Sequence, residues 1–404
     1  MNPSTQSSPA RRGQATWAAA LTGSVLAALL VACGGGGDAP TAGPGTATAT
    51  AQSFASGPIS GLGSIIVNGV RFDDGAARVE DEDGAAHAAR ELKLGMMVEV
   101  QAGVIDDKVA KATATHIRFG SEMVGAVTLK DDASSTLRML DQTIEVKPTT
   151  VFEEGLAGFS AISIGQVLEI HAQFDAATGH YVATRIERED GATAFRLRGR
   201  VASLDTALKT FKIGDAVINY GNVAAADLPA LADGLRVRVR LQTTQVNGQW
   251  VATGVRTGVR RVDDIGDARL RGLITVLTSP QQFEIQGIVV DASNASFEPN
   301  AEAVRLGALV EVRGRAADGK IIAARVKVRD ERDDDLQRVE LHGTVSLLDA
   351  STFMLRDVKV NFSRVIEWKN GGAADLANGK ALEVKGVWSE DRKVLFALVI
   401  EFES

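Results

Sequence analysis

Leu197-Arg198-Gly199-Arg200-Val201, Leu270-Arg271-Gly272-Leu273-Ile274 and Leu341-His342-Gly343-Thr344-Val345 are copies of one pattern, a glycine with apolar residues two positions to either side. Val124-Gly125-Ala126-Val127 and Ile59-Ser60-Gly61 are looser copies upstream, and successive glycines stand 64, 74, 73 and 71 residues apart. A second landmark keeps that period: Gly95, Gly165, Gly234, Gly307 and Gly379 each open an alternating run, at intervals of 70, 69, 73 and 72 residues. The third is Ala-x-x-Ile/Val, at Ala114 with Ile117, Ala183 with Ile186, Ala252 with Val255, Ala323 with Val326 and Ala397 with Ile400. Three unrelated landmarks with one period define an internal repeat, and the repeat decides the fold.

Between the second and third landmarks each copy has room for a hairpin, with Asn247-Gly248 and Asp318-Gly319 suited to a tight primed turn. Before the second landmark comes an Ala/Leu-rich stretch, such as Ala224-Ala225-Ala226-Asp227-Leu228, long enough for one or two helical turns. Runs such as Phe353-Met354-Leu355-Arg356-Asp357-Val358-Lys359-Val360 supply strands upstream of it. Three strands, a short helix and a two-stranded hairpin are the order of the five-stranded Greek-key OB barrel, whose shared first strand must bend, as its glycine permits. The expected fold is all-β: a tandem array of five small OB-like barrels, each with one short helix, at 57–120, 121–190, 195–261, 268–330 and 337–404.

The N-terminus combines Arg11 and Arg12 with an apolar run from Ala15 to Ala32, the layout of a secretory signal over residues 1–32. The run ends in Leu30-Val31-Ala32-Cys33, which resembles the bacterial lipobox, so Cys33 is the expected lipid-attachment residue; a membrane-spanning helix or ordinary signal peptide with a chance cysteine is the competing reading. Several acyl chains on one cysteine anchor stably. Gly34 after the cysteine, where Asp is absent, implies by resemblance to enterobacterial sorting an outer-membrane lipoprotein facing the periplasm, with surface exposure left open. Residues 33–56 are Gly, Ala, Thr and Pro with little apolar bulk, a flexible tether of roughly 25 Å root-mean-square span.

Net charge is −7, and removing the first 32 residues with Arg11 and Arg12 takes it to −9. That sign argues against a nucleic-acid partner. Acidic clusters at Glu187-Arg188-Glu189-Asp190, Asp263-Asp264-Ile265-Gly266-Asp267 and Arg329-Asp330-Glu331-Arg332-Asp333-Asp334-Asp335 are expected to be solvated linkers; as calcium clamps they lack EF-hand spacing.

Gly61-Leu62-Gly63-Ser64-Ile65-Ile66-Val67-Asn68-Gly69-Val70-Arg71-Phe72, followed by Leu94-Gly95-Met96-Met97-Val98-Glu99-Val100, resembles the signature of bacterial tandem-repeat lipoproteins with OB-like domains, the domain of unknown function 5666 family. The resemblance implies fold and location only, and carries over no catalytic or binding residue.

No catalytic residues, metal site or cofactor are expected. His87, His116, His171, His180 and His342 lack metal-ligand spacing, and no lipase-like G-x-S-x-G occurs. Gly61-Leu62-Gly63 leads into a strand, which excludes a dinucleotide loop.

One unit departs from the rest. Four positions after the second landmark stand Glu99, Glu169, Glu311 and Glu383, but Arg238 in the third unit. Its strand, Leu235-Arg236-Val237-Arg238-Val239-Arg240-Leu241, turns three arginines outward and lies beside Arg196, Arg198 and Arg200 of the first strand. From Arg196 to Arg261 there are 11 basic and 4 acidic residues, a local +7. Either carboxylates of linkers and adjoining units pair with this ladder, or Arg198, Arg200, Arg236, Arg238 and Arg240 bind an external anion such as lipid phosphate, lipopolysaccharide or acidic glycan. Three classes of function follow: a structural or adaptor lipoprotein holding an envelope partner, a binding module for an anionic envelope component, and an unrecognised enzyme.

Overall fold

A computed structural model describes residues 53–153, 155–258, 262–329, 338–356, 358–389 and 394–403. The expected leader, Cys33 and the expected tether as far as residue 52 lie outside the described residues. Among the described residues no helix is long and apolar enough to cross a membrane.

The strand Met123–Asp131 runs antiparallel to Thr136–Met139, which runs antiparallel to Gln142–Phe152. Gln142–Phe152 lies parallel to His180–Arg188, whose antiparallel partner Val167–Asp175 closes on the first strand. Numbered along the chain, this 1-2-3-5-4-1 circuit is that of an OB barrel. The circuit recurs from Ser53–Leu62, from Phe195–Arg200 continued by Ala202–Asp205, from Ile265–Ser279 and from Arg338–Ser346. In chain order these are barrels 1 to 5, with the circuit from Met123 as barrel 2.

The expected short helices shrink to single 3-10 turns: Ala89–Glu91, Phe159–Ala161, Ala225–Asp227, Ala301–Ala303 and Ala373–Asp375. The apolar residue after each turn is extended, and Leu92, Ile162 and Val304 are buried. Pulling that side chain into the core ends the turn before helix propagation can offset nucleation.

The second landmark has a local cause. Gly95, Gly165, Gly234, Gly307 and Gly379 have φ between 75° and 89°, and each N–H donates to a first-strand carbonyl: Ile59, Val127, Val201, Ile274 and Val345. Only glycine enters that region without strain.

The first landmark is misplaced in barrel 1. Gly125, Gly199, Gly272 and Gly343 lie opposite Leu168, Val237, Val310 and Leu382, and the residue in that register in barrel 1 is Gly57, opposite Val98. Ala55-Ser56-Gly57-Pro58-Ile59 is the pattern with a smaller apolar flank. Gly61 does a different job: a Cβ there would sit 2.6 Å from the Glu340 carbonyl of barrel 5.

The same shift corrects the tether. Ser53, Phe54, Ala55 and Ser56 are buried strand, paired with barrel 1 on one side and, in parallel, with Asp267–Leu270 of barrel 4 on the other. Phe54 joins the core of barrel 4, a burial that contributes about 2–3 kcal/mol. Nor is the second acidic run a solvated linker. Asp267 lies inside the strand Ile265–Ser279 and pairs with Arg269 at 3.0 Å, while Asp264 accepts the Asp318 N–H at 2.9 Å. Glu187 and Arg188 likewise belong to the strand His180–Arg188, and the run from 330 to 335 lies outside the described residues.

First strands also join the barrels to one another. Arg196 and Leu197 of barrel 3 pair antiparallel with Val124 and Met123 of barrel 2, and one apolar core runs through both. Gly61 and Leu62 of barrel 1 pair in parallel with Glu340 and Leu341 of barrel 5, which share a second core. The strand Ser53–Leu62 therefore docks two barrels at its opposite ends.

Candidate functional site

Barrel 3 sets its arginines directly across from one another: Arg196 opposite Arg240, Arg198 opposite Arg238 and Arg200 opposite Arg236. Alternation places them on one face because Leu197, Val237, Val239 and Leu241 fill the core. Three like-charged pairs in register destabilise a sheet unless counter-charge is near.

The face is not open, which corrects the outward-facing expectation. Arg198 and Arg236 are 4% and 5% exposed. The turn after Arg78–Asp81 of barrel 1 delivers Glu82 and Asp83 onto the face: Glu82 pairs with Arg198 and, at 3.2 Å, with Arg238, and Asp83 pairs with Arg238 and, at 3.3 Å, with Arg256. Barrel 2 supplies Glu122 to Arg236 at 3.0 Å and Glu169 to Arg196 at 3.1 Å, and barrel 4 supplies Glu284 to Arg200. Burial works to lower the affinity of Arg198 for its proton, but Glu82 and Glu122 outweigh it and hold the guanidinium charged. Burial pushes the neighbouring Tyr181 phenol up, and its hydroxyl donates to the Arg198 carbonyl at 2.8 Å.

Of the five arginines singled out from the sequence, Arg198, Arg200, Arg236 and Arg238 thus meet carboxylates of other barrels, while Arg240 is exposed and has no ion pair among the described residues. The partners Glu82, Asp83, Glu122 and Glu284 escaped the sequence reading. The run Glu80-Asp81-Glu82-Asp83, opposite in sign to the ladder, was the available signal.

Two hollows border this seam. A small one of ≈ 130 Å³ touches Glu82, Glu99, Arg118, Arg198, Arg238 and Arg256. A larger groove of ≈ 640 Å³ lies between the connector at Gly191–Ala194 and the side chains of Asp83, Glu189, Arg196, Arg240 and Arg256.

A second polar seam joins barrels 1 and 2. Arg185 donates to the Leu94 carbonyl at 3.1 Å and to Glu187 at 2.8 Å, and buried His171 lies 3.7 Å from Glu187. Burial works to raise the Glu187 carboxyl, but hydrogen bonds from His171 and Arg185 bring it down to about 2. The histidines are not gathered: His87 contacts Asp81 and Glu91, His116 contacts Glu80, and His342 sits among Glu340, Glu383 and Glu403.

Residues 124–187, 271–327 and 342–401 each match the profile of a domain of unknown function, DUF5666. Three segments of the chain thus resemble DUF5666 domains. The matched segments fall on barrels 2, 4 and 5, so the DUF5666 profile is met away from the barrel 1 motif that first suggested it. Two solved structures are similar at low identity. One is described as Drosophila Unr CSD456, at 13% identity and a TM-score of 0.14, over 53% of this chain and 98% of that one. The other is a multidomain protein with nucleic acid binding domains from Streptococcus pneumoniae, at 14% identity and a TM-score of 0.15, over 51% and 72%. No curated protein matches the chain.

Proposed function

We propose that this chain is a non-enzymatic scaffold or adaptor of the cell envelope, five OB-like domains held to the outer membrane, on its periplasmic side, by lipid on Cys33. One observation carries the reading: four of the five arginines that would make a ligand-binding face on barrel 3, Arg198, Arg200, Arg236 and Arg238, are occupied by Glu82, Asp83, Glu122 and Glu284 of three other barrels. Groups held this way fix barrels against each other and leave other surfaces to hold an envelope protein. The anchor is tested by growth in labelled palmitate. Wild type takes up the label, Cys33→Ser does not and accumulates as precursor, and equal labelling of the variant overturns the proposal.

A second reading is favoured by the ≈ 640 Å³ groove beside Arg240 and Arg256, which suits an anionic envelope component such as lipopolysaccharide, phospholipid or acidic glycan. Arginine's planar fork matches phosphate and carboxylate. Here Arg240→Gln with Arg256→Gln weakens binding to vesicles of anionic phospholipid and flattens its salt dependence, with little change in melting temperature. Vesicle binding that is unchanged in the double variant removes this reading and leaves the scaffold intact.

A further inference from the structure

We propose that Glu340, His342 and Glu383 of barrel 5 form a binding site for one divalent transition-metal ion, with Glu403 orienting the imidazole. Glu340 and His342 stand two apart on the strand Arg338–Ser346, so both project to one face. Glu383 is the residue directly opposite His342 on the neighbouring strand. His342 Nε2 lies 2.9 Å from Glu340 Oε1 and 3.8 Å from Glu383 Oε2, and all three ligand atoms fall within 4.8 Å of one another. Ligand atoms sharing a tetrahedral ion with bonds near 2.0–2.2 Å stand about 3.3–3.6 Å apart, so the two nitrogen-to-oxygen separations bracket what coordination requires.

The other ring nitrogen supports the assignment. His342 Nδ1 is 2.6 Å from Glu403 Oε1, the carboxylate–histidine arrangement that fixes a ligating ring and raises its basicity. Donation from Nδ1 to Glu403 leaves the Nε2 lone pair facing Glu340 and Glu383. The ring is held there by packing: His342 is 2% exposed, and a Cβ on Gly63 of barrel 1 would lie 2.1 Å from the His342 Cβ. One imidazole and two carboxylates suit Zn²⁺, Mn²⁺ or Fe²⁺, whereas Ca²⁺ takes six to eight oxygens.

Lys385 is the resident competitor. Its ammonium lies 2.8 Å from Glu383 and 3.7 Å from Glu340, on a side chain 49% exposed that can swing into water. The ion replaces this ammonium between the two carboxylates. The competing description is a buried imidazolium donating from both nitrogens, with no metal at all.

Calorimetry on the detergent-extracted full chain, stripped with chelator and titrated with Zn²⁺, separates the two, and Co²⁺ gives a visible-absorption readout of the coordinating set. We expect one saturable Zn²⁺ site, weakened at least tenfold by Glu383→Gln and about 10–100-fold by Glu403→Gln. Lys385→Met, which removes the competitor, tightens binding. His342→Asn abolishes it, and should that variant fail to fold, Glu383→Gln and Lys385→Met still decide. Zn²⁺ binding that is absent in wild type, or untouched by Glu383→Gln, overturns the assignment, as does Lys385→Met with unchanged affinity.

Discussion

Barrels 3 and 5 use one slot of the same fold in different ways. The residue before the first-strand glycine faces a residue on the fourth strand: Ser56 with Glu99, Val124 with Glu169, Arg198 with Arg238, Arg271 with Glu311 and His342 with Glu383. In barrel 3 the pair is doubly cationic and calls in carboxylates from outside the barrel. In barrel 5 the pair is self-complementary, and Glu340, two residues along the strand, and Glu403 add carboxylates from the same barrel, with Arg71 of barrel 1 reaching Glu403 at 3.4 Å. The like-charged slot thus draws its counter-charges from other barrels, whereas the mixed slot of barrel 5 supplies its own carboxylates.

The contrast is broken most severely through the acidic turn of barrel 1. Glu82→Arg strands buried Arg198 beside a new cation and is expected to cost about 3–5 kcal/mol, read as a lower denaturant midpoint. An unchanged midpoint means that the seam does not hold the barrels together.

Next in size is the seam of barrels 1 and 2. Glu187 has its folded value held at about 2, so its contribution is complete above its ordinary value of 4.5 and is lost as pH falls toward 2. The shift corresponds to at most about 3 kcal/mol. Acid unfolding followed from about pH 6 downward should show a shallower loss in Glu187→Gln; parallel curves would place the acid sensitivity elsewhere.

The smallest effect separates the two slots by packing. Gly199→Ala in barrel 3 drives a Cβ to 2.2 Å from Ile213 Cγ2 and is expected to destabilise by about 1–3 kcal/mol. Gly343→Ala in barrel 5 meets its nearest atom, Arg356 Cγ, at 3.3 Å and should fall within about 0.5 kcal/mol of wild type. Equal melting temperatures for the two variants would show that the first-strand glycine plays the same part in both barrels.

Features with a local cause were legible in the sequence. Gly95 and its four counterparts need positive φ whatever surrounds them, and Asn247-Gly248 and Asp318-Gly319 close hairpins with positive φ at both residues. The misreadings came where the decisive contact is distant. Ala55-Ser56 reads as tether because small residues carry little apolar signal, yet Phe54 and the backbone around it are buried by barrel 4. The Ala-rich stretch before Gly95 looked helical, and burial of Leu92 cut it to one turn.

The sequence by itself determined the period, the strand order within a unit and the excess of cations on barrel 3, since turn geometry, alternation and charge are properties of neighbouring residues. Tertiary structure alone decided that Glu82 meets Arg198, that Ser53–Leu62 docks barrels 4 and 5 at its two ends, and that Glu383 and Glu403 close on His342. Those contacts join residues far apart in the chain. Their pairing follows from which barrel faces bury most against one another, a choice that no local pattern encodes.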